Sequence, residues 1–297
     1  MSRVGRHWCR HDDPQDPPLM RTEPMIVPET LSGPPSAARA STILLVRDQP
    51  AFEVLMVKRH EKMAFAAGAL VFPGGKIDPS DDDPRWVDHA GGYNDIPLEQ
   101  RALRIGALRE LFEESGILLA TGRDGTPWNG SFDVAQARAA LGAGETTFLA
   151  IMREAGVTLD LTAMELFAHW ITPEAMPKRF DTFFFIVAAG IAQEAVSDGQ
   201  ETVDVEWITP REALRLGAAK QRTLAFPTRL NLKLLGGNEC VAQALEATRA
   251  RSIVTVRSRI EQRETGRVLT IAADAGYGVV EEPVSELVGR GHKIAPA

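Results

Sequence analysis

Short apolar runs and longer stretches of helical periodicity alternate along most of the chain. Residues 42–46 and 52–58 are β-prone and are separated by Asp48-Gln49-Pro50, which predicts a hairpin. Further strands are predicted at residues 69–72, 166–171, 182–188 and 205–209. Two late strands are predicted between residues 253 and 272, around Glu264-Thr265-Gly266.

Apolar residues recur at helical spacing over residues 98–115, and residues 226–235 and 239–251 also look helical. A helix is predicted to follow the strand at 205–209, because Pro210 suits its first turn. Residues 117–160 look like a helical insertion, with segments near 132–141 and 147–156. Residues 1–40 contain seven prolines and little apolar periodicity, which predicts a flexible or extended leader.

The amino-acid composition limits which classes of function the protein can have. A chain of 297 residues with 44% hydrophobic content can bury a sizeable core, as one elaborated domain or two small ones. The net charge of -7 argues against nonspecific nucleic-acid binding, but local cations could still favour a phosphorylated substrate. Cys9 and Cys240 alone cannot form a disulfide framework, which indicates a reducing compartment. No apolar run approaches the roughly 20 residues of a membrane span, so we expect a cytoplasmic protein.

An acidic motif lies at the end of the predicted helix 98–115. It reads Arg109-Glu110-Leu111-Phe112-Glu113-Glu114-Ser115-Gly116-Ile117. Glu110, Glu113 and Glu114 are spaced i, i+3 and i+4 and therefore share one helix face, where three carboxylates repel unless a cation lies among them. Hard divalent cations prefer such oxygen ligands. The plainer interpretation is a solvated acidic turn on an amphipathic helix.

Neighbouring residues favour the cation interpretation. Arg109 is well placed to hydrogen-bond and orient the carboxylates, and Gly116 suits the C-terminal end of the helix. Upstream, Pro73-Gly74-Gly75 forms a loop whose missing Cβ atoms allow close backbone approach, so that a carbonyl can face a metal. Chance would produce the acidic pattern in on the order of one chain of this length in 10⁴ to 10⁵.

These residues resemble the Nudix box, G-x5-E-x7-R-E-U-x-E-E-x-G-U, in which U is apolar. Gly75 matches the leading glycine, and residues 109–117 match the second half without a mismatch. Five residues after Gly75 lead to Asp81 instead of Glu, and an Asp- and Gly-rich stretch continues through Asp95. Counted back from Arg109, the expected Glu falls on Arg101. The box is thus split by an insertion, and its first acidic position stays open.

A second motif resembles the L-L-T-x-R-[SA]-x3-R-x3-G-x3-F-P-G-G signature of coenzyme A diphosphatases. The positions that match in register are Arg59, Gly68, Phe72, Pro73, Gly74 and Gly75, whereas Val57, His60 and Ala64 depart from it. The split box and the later segment Pro177-Lys178-Arg179-Phe180-Asp181-Thr182 resemble the Nudix 19 subfamily of acyl-CoA diphosphatases. The resemblance covers roughly residues 41–235.

The resemblance implies an α/β fold, a Nudix-type α/β/α sandwich whose mixed β-sheet lies between helices. The hydrolase domain is expected over residues 41–235, with insertions at about 81–97 and 117–160. Residues 236–297 would form a C-terminal extension of helix and strands. The polar residues 81–95 are expected to be a surface excursion whose shortening alters substrate choice more than metal binding.

The implied activity is divalent-metal-dependent hydrolysis of the diphosphate linkage of CoA or acyl-CoA, with Mg²⁺ or Mn²⁺ as the cofactor. The products would be adenosine 3′,5′-bisphosphate and (acyl-)4′-phosphopantetheine. One alternative is hydrolysis of ADP-ribose, NADH or another nucleoside diphosphate derivative. A second, from a different class, is a nucleotide-sensing module without turnover. The partner is in each case a small molecule, and neither nucleic acid nor a membrane span is expected. The sequence leaves a homodimer open.

The resemblance also assigns the metal and catalytic residues. Glu110, Glu113 and Glu114 are the expected metal ligands, with the Gly75 carbonyl as a fourth. The catalytic set comprises Arg109, Glu113, Glu114 and Glu201. Nudix enzymes take the proton from water with either a glutamate of the box or one on a later loop. Glu201 is the late candidate, and a solvated loop glutamate is its plainer interpretation.

Substrate contacts form a third group. Arg59 matches the CoA-type signature and would contact a phosphate, unless it forms a surface ion pair. Lys178 and Arg179 would hold the 3′-phosphate of CoA. The remaining predicted substrate-binding residues are Gly68, Phe72, Pro73 and Gly74. His169 and Trp170 are expected to be core or rim residues. The run Phe183-Phe184-Phe185 is expected to be core, with the alternative that one of the three lines a channel for an acyl chain.

Overall fold

The computed structural model describes residues 36–61, 67–122, 124–128, 130, 132–190, 193–199 and 202–284. All of them belong to one compact unit, Pro34–Ala297. The predicted leader lies outside the described residues up to residue 35, and so does Glu201.

Strands and helices alternate through the described part of the chain. The helices are α1 Leu98–Ser115, α2 Val134–Gly142, α3 Phe148–Ala155, α4 Pro210–Ala218, α5 Phe226–Leu235 and α6 Val241–Ala250. The first strands are β1 Ala38–Arg47, β2 Glu53–Arg59, β3 Ala69–Val71, β4 Gly74–Lys76, β5 Ala90–Gly91, β6 Ala120–Gly122, β7 Val157–Asp160 and β8 Glu165–Ile171. The later strands are β9 Phe180–Ala188, β10 Thr202–Ile208, β11 Thr223–Leu224, β12 Thr255–Arg257, β13 Arg259–Arg263, β14 Gly266–Thr270 and β15 Glu281–Pro283.

The main sheet is mixed. Its strands follow the order β11-β3-β2-β1-β9-β8-β12, while β10 pairs with β2 and β4 pairs with β1. Strands β1 and β9 run parallel at the centre, with Ala38 opposite Phe180 and Val46 opposite Ala188. Strands β1 and β2 are antiparallel, which confirms the predicted hairpin.

Each face of this sheet is covered by a separate hydrophobic cluster. Successive side chains of a strand point to opposite faces, so Ile43 belongs to the cluster with α1 and α3, and Leu44 to the cluster with α5. Phe185 and Phe184 on β9 are divided in the same way. The sheet is therefore packed between two helical layers, which confirms the predicted α/β/α sandwich.

Most predicted elements form where the pattern placed them. Helix α1 spans the predicted residues 98–115 and ends at Gly116, whose φ of 74° is left-handed. Strand β1 begins at Ala38, four residues earlier than predicted. The insertion at 117–160 contains the two predicted helices, but it also contains β6 and β7, which form a small three-stranded sheet with β5 in the order β5-β7-β6. These strands have two to four residues, too few for a readable alternation.

The expectation that residues 81–95 form a surface excursion is wrong for the first part of the segment. Asp81 and Trp86 are fully buried or nearly so, at 0% and 1% exposure. Single turns of 3₁₀ helix form at Pro79–Asp82 and Pro84–Asp88, and the Trp86 indole donates to the Ser80 carbonyl at 2.9 Å. Trp86 packs against Phe148 of α3, with ring centroids 5.8 Å apart. The segment thus folds onto the protein instead of projecting from it.

The C-terminal segment is built into the core. Strand β12 extends the main sheet parallel to β8, and β13, β14 and β15 form an antiparallel sheet, which confirms the two late strands. The Trp170 indole donates to the Tyr277 hydroxyl at 3.1 Å, and this hydroxyl donates to Asn231 Oδ1 at 2.7 Å. Within the described part of the chain, no helix combines the length and apolarity that crossing a bilayer requires.

Candidate active site

The acidic face of α1 is organised around the Arg109 guanidinium. Its Nη1 donates to Glu110 Oε1 at 2.9 Å and to Glu113 Oε1 at 3.1 Å. Its Nε donates to Asp81 Oδ1 at 2.9 Å, and its Nη2 donates to Asp81 Oδ2 at 3.1 Å and to the Lys76 carbonyl at 2.8 Å. One buried cation therefore orients two of the three box glutamates and ties them to β4 and to the segment after it.

The glycine loop lies directly against this face. The Gly74 backbone N–H donates to Glu114 Oε2 at 3.0 Å, and Gly75 pairs with Ser41 of β1. A Cβ atom added to Gly75 would lie 2.5 Å from the Glu110 carboxylate. A side chain at 75 would displace the Glu110 carboxylate, so glycine lets the loop backbone lie against the acidic face.

The electrostatics of the site reflect three carboxylates around one guanidinium. Burial, together with the Glu113 charge, raises the pKa of Glu110 to about 7 against the opposing effect of Arg109. Burial likewise raises the pKa of Asp81, although its bonds with Arg109 oppose the shift. Burial would lower the pKa of Arg109, but its carboxylate partners raise it overall. The site thus holds more negative charge than Arg109 can balance.

A divalent cation suits this donor set. Glu110, Glu113 and Glu114 present hard oxygen donors beside a loop without side chains, and the raised pKa of Glu110 indicates that its charge lacks sufficient compensation. Among the residues that the structure describes, no three acidic, histidine or cysteine side chains converge closely enough to enclose a metal ion. The glutamates instead face Arg109 and the Gly74 N–H, so ligation would require them to rotate.

A cavity of about 500 Å³ opens beside the acidic face, within the size range of small-ligand sites. Its polar end is lined by Arg59, Gly74, Gly75, Lys76 and Glu110. Aromatic and aliphatic side chains line most of the remainder, including Phe72, Trp170, Met176, Phe184 and Phe226. The cavity therefore joins an end that carries basic and carboxylate side chains to an apolar compartment.

Some of the predicted substrate-binding residues line this cavity and others do not. Arg59, Phe72, Gly74 and Lys178 are among the described residues that line it, together with the predicted metal-site residue Gly75. Gly68, Pro73 and Arg179 are not among them. Gly68 adopts a left-handed φ of 66° near Glu61, the Pro73 carbonyl accepts from Ile43, and Arg179 Nε donates to the Thr172 carbonyl at 3.2 Å.

Other expectations concern side chains near the cavity. Trp170 and Phe184 are buried and line the cavity, while Phe185 is fully buried in the opposite cluster. His169 lies between Asp181 and Thr255, at 2.5 Å from Asp181 Oδ1 and 2.8 Å from Thr255 Oγ1. Arg59 Nη1 lies 3.9 Å from Glu114 Oε1, so its ion pair connects it to the acidic face rather than to a remote surface.

Three groups of residues contribute to the site but were not predicted from the sequence. The partnership of Asp81 with Arg109 was signalled only by its spacing from Gly75, because a run of aspartates looks like a solvated loop. Arg138 of α2 donates from Nε and Nη2 to the Glu113 carbonyl, at 3.0 and 2.6 Å, and thereby anchors the insertion on the end of α1. Finally, Ser258, Ile260 and Leu269 of the C-terminal segment line the cavity. Nothing in the sequence indicated the last two contributions.

Comparison with known proteins identifies the architecture. The family model described as the NUDT19 Nudix domain matches residues 88–235. The chain belongs to the Nudix hydrolase superfamily. The matched segment of this Nudix hydrolase begins beyond Gly75 and Asp81 and includes all of α1, so it carries the second half of the box.

Individual relatives agree with this assignment. The chain is 28% identical to the acyl-coenzyme A diphosphatase NUDT19 of Xenopus laevis, over 55% of this chain and 54% of the relative. The protein of the same name from Homo sapiens is 25% identical, over 72% of this chain and 74% of the relative. The match thus spans about half the length of the frog protein. A solved Nudix hydrolase from Alicyclobacillus acidocaldarius is 27% identical, with a TM-score of 0.63, covering 71% of this Nudix hydrolase and 96% of that chain.

Proposed function

We propose that this Nudix hydrolase cleaves the diphosphate linkage of CoA or acyl-CoA with the help of Mg²⁺ or Mn²⁺. One observation carries the proposal: a single cavity joins the acidic face of α1 and the glycine loop to a large apolar compartment. A CoA ester combines a diphosphate with a long arm that becomes apolar at its acyl end. The relatives from frog, human and chicken that bear the name acyl-coenzyme A diphosphatase support the same substrate class.

The residues of the acidic face would act together. Glu110, Glu113 and Glu114, with the Gly75 carbonyl, would hold the cation. When bound, that cation neutralises the diphosphate oxygens and lowers the pKa of an attacking water. Arg109 is a positioning residue that sets the orientation of Glu110 and Glu113. The proton acceptor is proposed to be a box glutamate or Glu201.

Cationic side chains at the cavity suit the charged parts of the substrate. Arg59 is proposed to contact the diphosphate, since it lies next to Glu114 and Gly74. Lys178, which lines the cavity, and Arg179, which follows it in the sequence without lining the cavity, are proposed to hold the 3′-phosphate. A charge-assisted contact of about 1.5 to 3 kcal/mol would make dephospho-CoA roughly ten- to a hundredfold poorer than CoA in kcat/KM. The cytoplasmic location and a homodimer stay predictions.

A substrate screen tests the proposal. The purified chain is incubated with CoA, acetyl-CoA, dodecanoyl-CoA, dephospho-CoA, ADP-ribose and NADH, each with Mg²⁺, Mn²⁺ or EDTA, and products are identified by mass spectrometry. We expect adenosine 3′,5′-bisphosphate and the matching phosphopantetheine from CoA compounds, and no turnover in EDTA. Faster cleavage of ADP-ribose or NADH would move the assignment to a dinucleotide hydrolase, and binding without turnover of any compound would indicate a sensor.

Substitutions on the acidic face test whether the activity depends on its carboxylates. Glu113→Gln and Glu114→Gln keep the side-chain shape but remove charge, so each should lower kcat by at least about a hundredfold. Glu99→Gln is the matched control, because Glu99 is an exposed carboxylate in the first turn of the same helix. Thermal melts verify that all three variants fold. If both Glu113→Gln and Glu114→Gln keep wild-type rates at saturating Mg²⁺, the metal assignment is wrong.

A further inference from the structure

The C-terminal hairpin of β13 and β14 forms one wall of the cavity. This wall is apolar, whereas the acidic face of α1 is charged. Ile260 and Leu269 are directly paired across the hairpin, and both line the cavity. Their neighbours Glu261 and Val268 are also paired, and the period of two along a strand directs them to the other side of the hairpin. One face of the hairpin is therefore committed to the cavity.

The side chains around this wall are suited to a flexible hydrocarbon. Ile171, Met176, Ile260 and Leu269 all line the cavity. Aliphatic and thioether groups pack against a saturated chain in many conformations and offer no hydrogen bonds to the edge of a nucleobase. Each methylene that such a surface removes from water contributes favourably to binding. Arg59 and Lys76, on β2 and β4, are separated from β8 and β12 by the central strands β1 and β9, and the diphosphate would bind there. Lys178, which also lines the cavity, lies in the segment before β9.

The wall is also fixed in position. Strand β12, directly before the hairpin, pairs with β8, and Thr255 on β12 hydrogen-bonds His169 on β8 at 2.8 Å. After the hairpin, the Tyr277 hydroxyl bonds with both Trp170 and Asn231. Trp170 itself lines the cavity. A wall held on both sides can discriminate between ligands by size, because it does not simply move aside.

We propose that the β13–β14 hairpin is the acyl-binding wall of this enzyme and that Ile260 and Leu269 determine which acyl chain lengths it accepts. The inference rests on the proposed function, since it assigns the acyl end of the same substrate. It gives the C-terminal segment a role in selectivity, separate from the carboxylates that would perform the hydrolysis.

The test compares chain-length dependence in matched variants. Ile260→Trp adds bulk on the side of the wall that faces the cavity and so reduces the space there. Arg259→Trp introduces the same side chain at the adjacent exposed position. We expect Ile260→Trp to lower the ratio of kcat/KM for dodecanoyl-CoA to that for acetyl-CoA by about tenfold or more. Arg259→Trp should leave this ratio as in the wild type. Ile260→Ala, which cannot overfill the site, should instead weaken the preference among chain lengths.

A binding measurement separates this inference from the proposed function. Calorimetry in EDTA compares dodecanoyl-CoA with CoA on the wild type and the same variants, after thermal melts have verified folding. Affinity losses confined to the acyl compound in Ile260→Trp support the wall even if no CoA compound is hydrolysed. Equal losses for CoA and dodecanoyl-CoA in Ile260→Trp, or an unchanged chain-length ratio in both Ile260 variants, would overturn it. An equal loss would indicate that the wall holds the nucleotide end.

Discussion

The charge balance around Arg109 is the main feature at the scale of single residues. Asp81 is fully buried and bonds the guanidinium with both carboxylate oxygens, while Glu110 and Glu113 share its Nη1. A buried ion pair contributes little net stability compared with apolar packing, but removing one of its acceptor oxygens leaves a buried donor without a partner. Asp81 therefore has a structural importance that its place in an aspartate run conceals.

Asp81→Asn should destabilise the fold by about 1 to 3 kcal/mol, because an amide nitrogen replaces one of the two oxygens that accept hydrogen bonds from buried Arg109. The free energy of unfolding is measured by urea titration. Asp82→Asn provides the control, since Asp82 is the exposed neighbour and surface substitutions usually change stability by less than about 0.5 kcal/mol. Equal midpoints for the two variants would mean that the hydrogen bonds from Arg109 to Asp81 do not support the fold.

Glu110 makes the stability of the metal-free protein depend on pH. Its pKa of about 7 in the folded state lies above the ordinary value of 4.5, so the folded state binds more protons between these pH values. Stability should therefore be greatest below pH 4.5 with respect to this group and fall as pH rises toward 7, and the raised pKa of Asp81 acts in the same direction. The change expected from Glu110 alone is on the order of 3 kcal/mol.

Thermal melts in EDTA between pH 5 and 8 test this expectation, with Glu110→Gln as the comparison. The substitution should flatten the decline in stability toward high pH, because glutamine cannot ionise. Added Mg²⁺ should restore stability to the wild type at pH 8 more than to the variant. A wild-type pH profile retained by Glu110→Gln would show that another group causes the decline.

The residue-scale chemistry was only partly readable from the sequence. The i, i+3, i+4 spacing of Glu110, Glu113 and Glu114 predicted a shared helix face, and that face is present. The spacing could not show that these glutamates face Arg109 or that Asp81 joins them, because both depend on how a separate segment packs on the helix. Their roles in metal binding stay predictions.

At the scale of elements, the insertion after α1 is attached to the end of that helix. The last turn of a helix leaves carbonyl groups without intrahelical partners. Arg138 of α2 donates two hydrogen bonds to the Glu113 carbonyl in this turn. The same guanidinium donates to the Val196 carbonyl at 2.8 Å. One side chain thus connects α2, the end of α1 and the segment before β10.

Arg138→Met keeps much of the side-chain length but removes these hydrogen bonds, so we expect a loss of about 1.5 to 3 kcal/mol in unfolding free energy. Arg153→Met on α3 is the control, because Arg153 is exposed on the same insertion. Urea titrations give the difference, and turnover of the best substrate reports whether the Glu113 position changes with the anchor. Similar stability in both variants would show that α2 does not support α1 through Arg138.

The predictability of the elements followed their length. Helix α1 has 18 residues, and its bounds were predicted correctly. Strands β5, β6 and β7 were missed, because a run of two to four residues contains no measurable period. The 3₁₀ turns after Gly75 were missed as well, since proline and aspartate are equally common in exposed loops.

At the scale of the whole molecule, the C-terminal segment belongs to the same core as the hydrolase sheet. Leu269, Ile271 and Tyr277 share a hydrophobic cluster with Leu44 and Phe226. The pairing of β12 with β8 joins residues that are about 86 positions apart, as Thr255 lies opposite His169. Sequence patterns predicted the late strands but not their location, because such distant pairing leaves no periodic signal.

If this segment is integral to the fold, its amides should be protected by the same unfolding event as the main sheet. Hydrogen exchange in the wild type should give peptides from β8, β12 and β14 similar opening free energies.

Tyr277→Phe leaves the buried Asn231 and Trp170 groups without their shared partner, which should cost about 1 to 3 kcal/mol in unfolding free energy. Tyr93→Phe, at the chain's other tyrosine, is the control. If β12 and β14 exchange at much lower free energy than β8 in the wild type, the segment is a separate unit that merely rests on the enzyme. Protection lost by all three peptides together in Tyr277→Phe would instead show that the cavity wall and the catalytic sheet unfold as one.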